Sequence, residues 1–391
     1  MSLDCRDFAR KGISRRGQLC RPHNLGVDTL TTGKAGGGPA PIVDDILTLG
    51  VVDRAGMRLA GVRALTIVEP GVLELQEVED PTPRADEVVV EVGACGLCGT
   101  DLHLIDGDSP LASYPLVPGH EFSGIIVARG DCVEGLALGQ RIAVDPNIHC
   151  GACRLCRSGR ANLCSHYAAL GVTNPGAFAQ YVTVPAANAY PVSDVLSAGQ
   201  AAMIEPLSCA VLGVRQIGDV LGRRSLVVGA GTMGLLIGQV LTSMGASEVA
   251  IIDPLSSRLE VATTFGLGPC ASSADELDGS FEVAVDATGV PKAIEAAFDA
   301  LDRGGTLLVF GVADVKAKVS LSPFRIFNEE ITVKGSMAVL HSFGTAVRLM
   351  ETGQVKVSPL LGAPYALEEY NEALTAMRSG AGRGIKTQIA P

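Results

Sequence analysis

Residues 223–245, "RRSLVVGAGTMGLLIGQVLTSMG", pass from a solid apolar run through a glycine turn into a second, longer apolar run, with no charge from Ser225 to Ser247. The short run, rich in aliphatic residues and stopped by glycine, predicts a strand buried on both faces; the longer one predicts a buried helix. "SEVAIIDP" (247–254), "FEVAVDATG" (281–289) and "GGTLLVFGV" (304–312) repeat the strand pattern. This alternation predicts a doubly wound parallel α/β sheet. Far upstream, "VRALTIVE" (62–69) also reads as a strand.

The turn between the two apolar runs holds Gly229, Gly231 and Gly234 in G-x-G-x-x-G register. Gly229 permits the turn, Gly231 lets the backbone approach a pyrophosphate, and Gly234 lets the helix pack closely on the strand. The free N–H groups of the helix start then face the phosphates. Asp253, about twenty residues on at the end of a second strand, suits the ribose hydroxyls. Its charge would repel a 2′-phosphate, so the cofactor expected is NAD. Arg258 lies close enough in sequence to touch the same ribose, and its alternative role is that of a solvated helix residue. Thr232, Met233, Thr288, Gly311 and Val312, at the same strand-to-turn junctions, complete the expected cofactor contacts.

Composition narrows the class. A chain of 391 residues with 47% hydrophobic residues can bury two cores, and a net charge of −11 offers no basic stripe for nucleic acid. The uncharged stretches 167–193 and 225–247 are long enough to span a bilayer, but prolines and polar residues break the first and the glycine turn breaks the second. Residues 1–56 contain "RKGISRR" and "GKAGGGPAP" and no apolar leader, which predicts a disordered extension or a misplaced start ahead of a cytoplasmic protein beginning near Met57. Eleven cysteines in so large a chain point to metal rather than to disulfides.

"HCGACRLCRSGRANLC" (149–164) presents Cys150, Cys153, Cys156 and Cys164 in C-x2-C-x2-C-x7-C spacing. Four thiolates from one loop suit tetrahedral zinc, and with every position filled by protein such an ion orders a lobe (146–166) rather than catalyses. A cluster of reduced cysteines and an iron–sulfur site are the other readings of that spacing; His149 is a bystander. "GACGLCGTDLHL" (93–104), "PGHEFSG" (118–124) and "EPLSCA" (205–210) offer a mixed set: Cys98, His120, Glu121 and Glu205. Three such ligands with one position left for water or substrate form a catalytic zinc site.

Together, "CGLCGTDLH", "PGHEFSG", the four-cysteine loop, "IEPLSCA", "GAGTMG", "VDATG" and "GIKTQI" resemble the zinc-containing medium-chain alcohol dehydrogenases, in particular the sorbitol, arabinitol and threonine dehydrogenase branch. The resemblance covers residue 57 to the C-terminus. It implies a GroES-like catalytic domain over 57–206, a Rossmann NAD-binding domain over 207–337 and a return to the catalytic domain over 338–391. It implies two zinc ions per chain, NAD, a dimer or tetramer, and a catalytic zinc held by Cys98, His120 and either Glu121 or Glu205, with Asp101 behind the imidazole. The expected reaction is reversible oxidation of a secondary alcohol (a polyol, cyclitol or related hydroxy compound) to a ketone. Thr100 and His103 would carry the proton away, linked through the cofactor ribose. A binding or reductase-like protein that keeps the fold without the zinc chemistry is the alternative. Sorbitol-type relatives carry a tyrosine where this chain has Leu104, and an arginine after the "KG" turn where this chain has none before Arg348; Tyr114 and His341 are candidates for the polar contacts instead.

Overall fold

A computed structural model describes residues 61–391; the expected extension over 1–56 lies outside the described residues. Its strands are β1 (Val62–Glu69), β2 (Val72–Val78), β3 (Glu87–Gly96), β4 (Glu121–Arg129), β5 (Arg141–Val144), β6 (Asn147–Ile148), β7 (Ala168–Ala169), β8 (Tyr181–Pro185), β9 (Ala189–Pro191), β10 (Arg224–Val228), β11 (Glu248–Ile252), β12 (Cys270–Ala271), β13 (Phe281–Asp286), β14 (Leu301–Val309), β15 (Thr332–Gly335) and β16 (Gln388–Ile389).

β10 to β15 form one sheet in the order β12-β11-β10-β13-β14-β15, parallel throughout. Leu226, Val227, Val283, Ala284 and Val285 are fully buried, as central strands covered by helices on both faces require. The chain winds outward from β10 through β11 to β12, then resumes on the other side with β13. The reversal between β10 and β13 opens a crevice at the carboxyl ends of the strands, the usual seat of a dinucleotide in such sheets.

The second large sheet is antiparallel, in the order β16-β3-β4-β5-β9 with β8 also on β3. Phe122, Ile126 and Phe178 anchor its core. Its register brings three distant segments together: Gly96 at the end of β3 stands opposite Glu121 at the start of β4 and also opposite Gln388 of β16. Cys98, two residues beyond β3, therefore meets His120 and Glu121, and Lys386 arrives from the far end of the chain. The helix Ile204–Ile217 runs across residue 206 and carries Glu205 in its first turn. Both sheets match the α/β class expected, one β-rich unit and one doubly wound unit.

Candidate active site and metal centres

Donor atoms of Cys150, Cys153, Cys156 and Cys164 all lie within 4.8 Å of one another. The local backbone is folded around sulfur: the N–H groups of Cys153, Cys156, Cys150 and His166 point at Cys150, Cys153, Cys164 and Cys164 at 3.3–3.4 Å. Such donors favour thiolate, and those from Cys156 and Ser165 draw the Cys153 thiol down to about 5. Cys156 is pushed the other way, to about 12, by desolvation and by the neighbouring thiols. Four thiolates this close repel one another unless a cation sits among them, so the donor set fits zinc. His149 stands outside the group.

Cys98, His120 and Glu121 form a second group, again with donor atoms within 4.8 Å of one another. Asp101, fully buried one turn into the helix Gly99–Asp106, binds its parts together. Its Oδ2 accepts from the Cys98 N–H at 2.8 Å, its Oδ1 accepts from the Gly119 N–H at 3.1 Å, and Oδ1 lies 3.4 Å from His120 Nδ1. With Nδ1 turned toward a carboxylate, Nε2 is left for a metal. Burial lowers the His120 pKa, but Asp101 and then Cys98 outweigh it and hold it well above the usual value. The mixed thiolate, imidazole and carboxylate set fits a zinc ion with an open position.

Glu121 is shared. Lys386, buried like its partner, makes an ion pair with Glu121 Oε2, leaving the other oxygen for a metal. Gly96 makes room for the pair: a Cβ there would fall 2.2 Å from Glu121 Oε2 and 2.7 Å from Lys386 Cε. Glu205 is buried beyond the three-donor group and accepts from the Cys209 thiol at 3.5 Å. Desolvation, followed by repulsion from Glu121, pushes its pKa up to about 7. Lys386 and Cys209 both lie inside motifs that the sequence displays, but only the strand register and the helix turn show which groups they meet.

Thr100 Oγ1 is 3.8 Å from the Cys98 sulfur, whereas His103 is exposed further along the same helix. Tyr114 donates its hydroxyl to the Leu104 carbonyl at 2.6 Å, and so secures the helix Gly99–Asp106. His341 is exposed; its carbonyl accepts from Arg215 at 3.1 Å.

At the carboxyl edge of the parallel sheet, Gly229 takes φ 102°, and a Cβ on Gly234 would lie 1.8 Å from the Gly229 carbonyl oxygen. Only glycine serves at either position. A Cβ on Gly231 would meet nothing within 4 Å, which suits close approach of a pyrophosphate to the start of the helix Thr232–Ser243. Thr232 opens that helix and Met233 packs against the core behind it. Asp253 is buried: its Oδ2 accepts from the Ala230 N–H at 2.8 Å, its Oδ1 from the Leu255 N–H at 2.9 Å, and Arg258 Nη1 lies 3.6 Å from Oδ2. A carboxylate oxygen has a second lone pair, so ribose contacts stay available. Arg258 is thus an ion-pair partner of Asp253, with its side chain 34% exposed. Thr288 is set by Asp286, which accepts from its N–H at 2.9 Å and its hydroxyl at 2.6 Å; Gly311 packs on Gly289, and Val312 is exposed at the same edge.

Among the described residues no helix is long and apolar enough to cross a membrane. Two family models match the chain: the alcohol dehydrogenase GroES-like domain over residues 84–194 and the zinc-binding dehydrogenase over 232–352. D-arabinitol dehydrogenase 1 of Uromyces fabae is 35% identical, over 82% of this chain and 95% of that protein. D-altritol 5-dehydrogenase of Agrobacterium fabrum is 34% identical, over 78% of this chain and 93% of its own. A zinc-binding dehydrogenase structure from Sinorhizobium meliloti 1021, bound to NADP, superimposes with a TM-score of 0.80 at 30% identity, covering 85% of this chain and all of that one. With two zinc-compatible donor sets and a dinucleotide turn in a matching fold, the chain belongs to the zinc-containing medium-chain alcohol dehydrogenases, in the polyol and threonine dehydrogenase branch, and is a zinc-binding oxidoreductase.

Proposed function

We infer that the substrate is a polyol or a related hydroxy compound, oxidised at one secondary carbon to the ketone, and that the reaction runs where Cys98, His120 and Glu121 converge. That convergence, set by the pairing of Gly96 with Glu121, is the observation that carries the reading. The names of the arabinitol and altritol relatives support the substrate class.

In this reading Cys98, His120 and Glu121 hold the catalytic ion, and Cys150, Cys153, Cys156 and Cys164 hold the structural one. When bound, zinc supplies a Lewis acid at the substrate oxygen, and NAD supplies the hydride acceptor. Asp101 keeps the imidazole oriented. Thr100 receives the hydroxyl proton beside Cys98, and His103 delivers it to solvent. Glu205, ionising near 7, faces the same site as a reserve carboxylate. Gly229, Gly231, Thr232, Met233 and Gly234 receive the pyrophosphate; Asp253 and Arg258 receive the adenosine ribose; Thr288, Gly311 and Val312 line the other half.

In the same reading the chain divides into a catalytic part over 57–206 and 338–391 and a Rossmann part over 207–337. The same reading expects copies to associate: β15, which carries exposed Val333, is an edge strand with hydrogen-bonding groups on offer, and the helix Pro323–Asn328 just before it in sequence exposes Phe324 and Phe327.

The test is zinc per chain by elemental analysis, with NADH formation from linear polyols, cyclitols and simple secondary alcohols. Two zincs and turnover on a polyol are expected; one zinc, or turnover confined to simple alcohols, overturns the site or the substrate class. Glu121→Gln should lose the catalytic zinc and Glu205→Gln should keep it.

A further inference from the structure

A side-chain hydrogen bond joins the four-cysteine lobe to the cofactor half of the molecule. Asn162 sits in the short helical turn Ala161–Leu163, between the third and fourth cysteines, and is 8% exposed. Its Nδ2 donates to the Met337 carbonyl at 2.9 Å, a contact across 175 positions of sequence.

Met337 lies two residues past the carboxyl end of β15. The Gly229–Gly234 turn places the pyrophosphate at β10, and Asp253 draws the adenosine half toward β11, so the nicotinamide half extends the opposite way, over β13, β14 and β15. The main chain that follows β15 therefore borders that half.

That main chain is under constraint. Ala338 and His341 both adopt φ 52°, a left-handed conformation that a non-glycine residue keeps only when its surroundings hold it there. At the far end Arg215, on the helix Ile204–Ile217, donates to the His341 carbonyl at 3.1 Å and to Thr345 Oγ1 at 2.8 Å. At the near end the holder is Asn162. Its own Oδ1 is buried with no hydrogen-bond partner among the described residues, as is the hydroxyl of Ser336. An amide buried with half its capacity unused is a poor device for stability. It is explained by the one bond it does make.

We propose that Asn162 is a positioning residue for cofactor binding: the zinc lobe is a strut that fixes, through Asn162, the strained 336–341 segment along the nicotinamide half of the dinucleotide. The proposal rests on the dinucleotide reading given above. It gives the structural metal a bearing on the reaction, since Cys164, two residues on, anchors the turn that presents the amide.

Asn162→Asp replaces the donor by an acceptor facing a carbonyl. The full-length protein carrying it should bind NADH roughly tenfold more weakly by equilibrium fluorescence, the change expected for losing one buried hydrogen bond. KM for NAD should rise with kcat changed less than threefold. Hydrogen exchange of the 336–341 amides should speed up while β10 and β13 stay protected, with zinc at two per chain. Asn162→Ser, uncharged and too short to reach, gives the same result if the aspartate variant fails to fold; Asn162→Gln should recover part of the affinity. NADH affinity within twofold of the parent in a two-zinc variant overturns the strut, as does a loss of affinity that accompanies loss of lobe zinc without faster exchange at 336–341. Failure of the unsubstituted protein to bind NADH overturns the dinucleotide reading instead.

Discussion

The two donor clusters are built by opposite means. The four cysteines come from one fifteen-residue loop, half-exposed at three of the four positions, and the backbone around them is folded against sulfur rather than against a core. Cys98, His120 and Glu121 come from the ends of two paired strands, with Asp101, Lys386 and Glu205 supplied by three further segments up to about 290 residues apart, nearly all of them buried. The first arrangement closes round an ion and leaves no position for a substrate. The second holds an ion from one side, in a setting whose low dielectric strengthens each charge on it. A metal that holds a lobe needs only a loop, whereas a metal that does chemistry needs the fold.

This contrast breaks most sharply at Cys98. Cys98→Ser should cut turnover by roughly 10³-fold or more and lower zinc from two to one per chain, with the melting temperature almost unchanged. Elemental analysis and calorimetry check it, and a variant that kept both zincs would erase the distinction between the clusters. Next in size is Lys386→Met in the zinc-free protein, where it leaves Glu121 buried without a counter-charge; it should cost about 3–5 kcal/mol in denaturant unfolding. Adding Glu121→Gln should restore much of that, and additive losses would show that the two groups do not interact. Cys153→Ser should shed the lobe zinc and cost on the order of 2–3 kcal/mol of stability, because the lobe opens locally while the two sheets hold. Equal loss of stability in the Cys98 and Cys153 variants would remove the difference in role. The smallest effect is expected at the cofactor: Asp253→Ala should shift the ratio of kcat/KM for NADP over NAD by roughly tenfold toward NADP. An unchanged ratio would mean that Arg258 or the local backbone sets the preference.

Much of the second half was legible from pattern alone. Solid apolar runs cut by glycine predict buried parallel strands; β10, β11 and β13 lie within them, and β14 overlaps the fourth but starts earlier, at Leu301. The glycine roles follow from sterics that any chain would face: Gly234 has no room for a side chain, and Gly229 has a backbone that side chains avoid. The ion pair between Arg258 and Asp253 was less legible, because a cation five residues after an acid on a helix start points to solvent as readily as to its neighbour. Tyr114 likewise offered a polar group for substrate, yet its hydroxyl goes to the Leu104 carbonyl, a choice made by where the loop returns.

By itself the sequence determined the four-cysteine loop, the dinucleotide turn and the alternation of strands and helices, since each depends on spacing within a few dozen residues and on local sterics. Only the tertiary structure decided that Glu121 would be paired with Lys386, that Glu205 would be sealed beside Cys209, and that Asn162 would reach Met337. Those contacts join residues that no local rule connects. They exist because the fold brings distant segments to one place, where a buried charge such as that of Glu121 or Lys386 is too costly to leave without a partner.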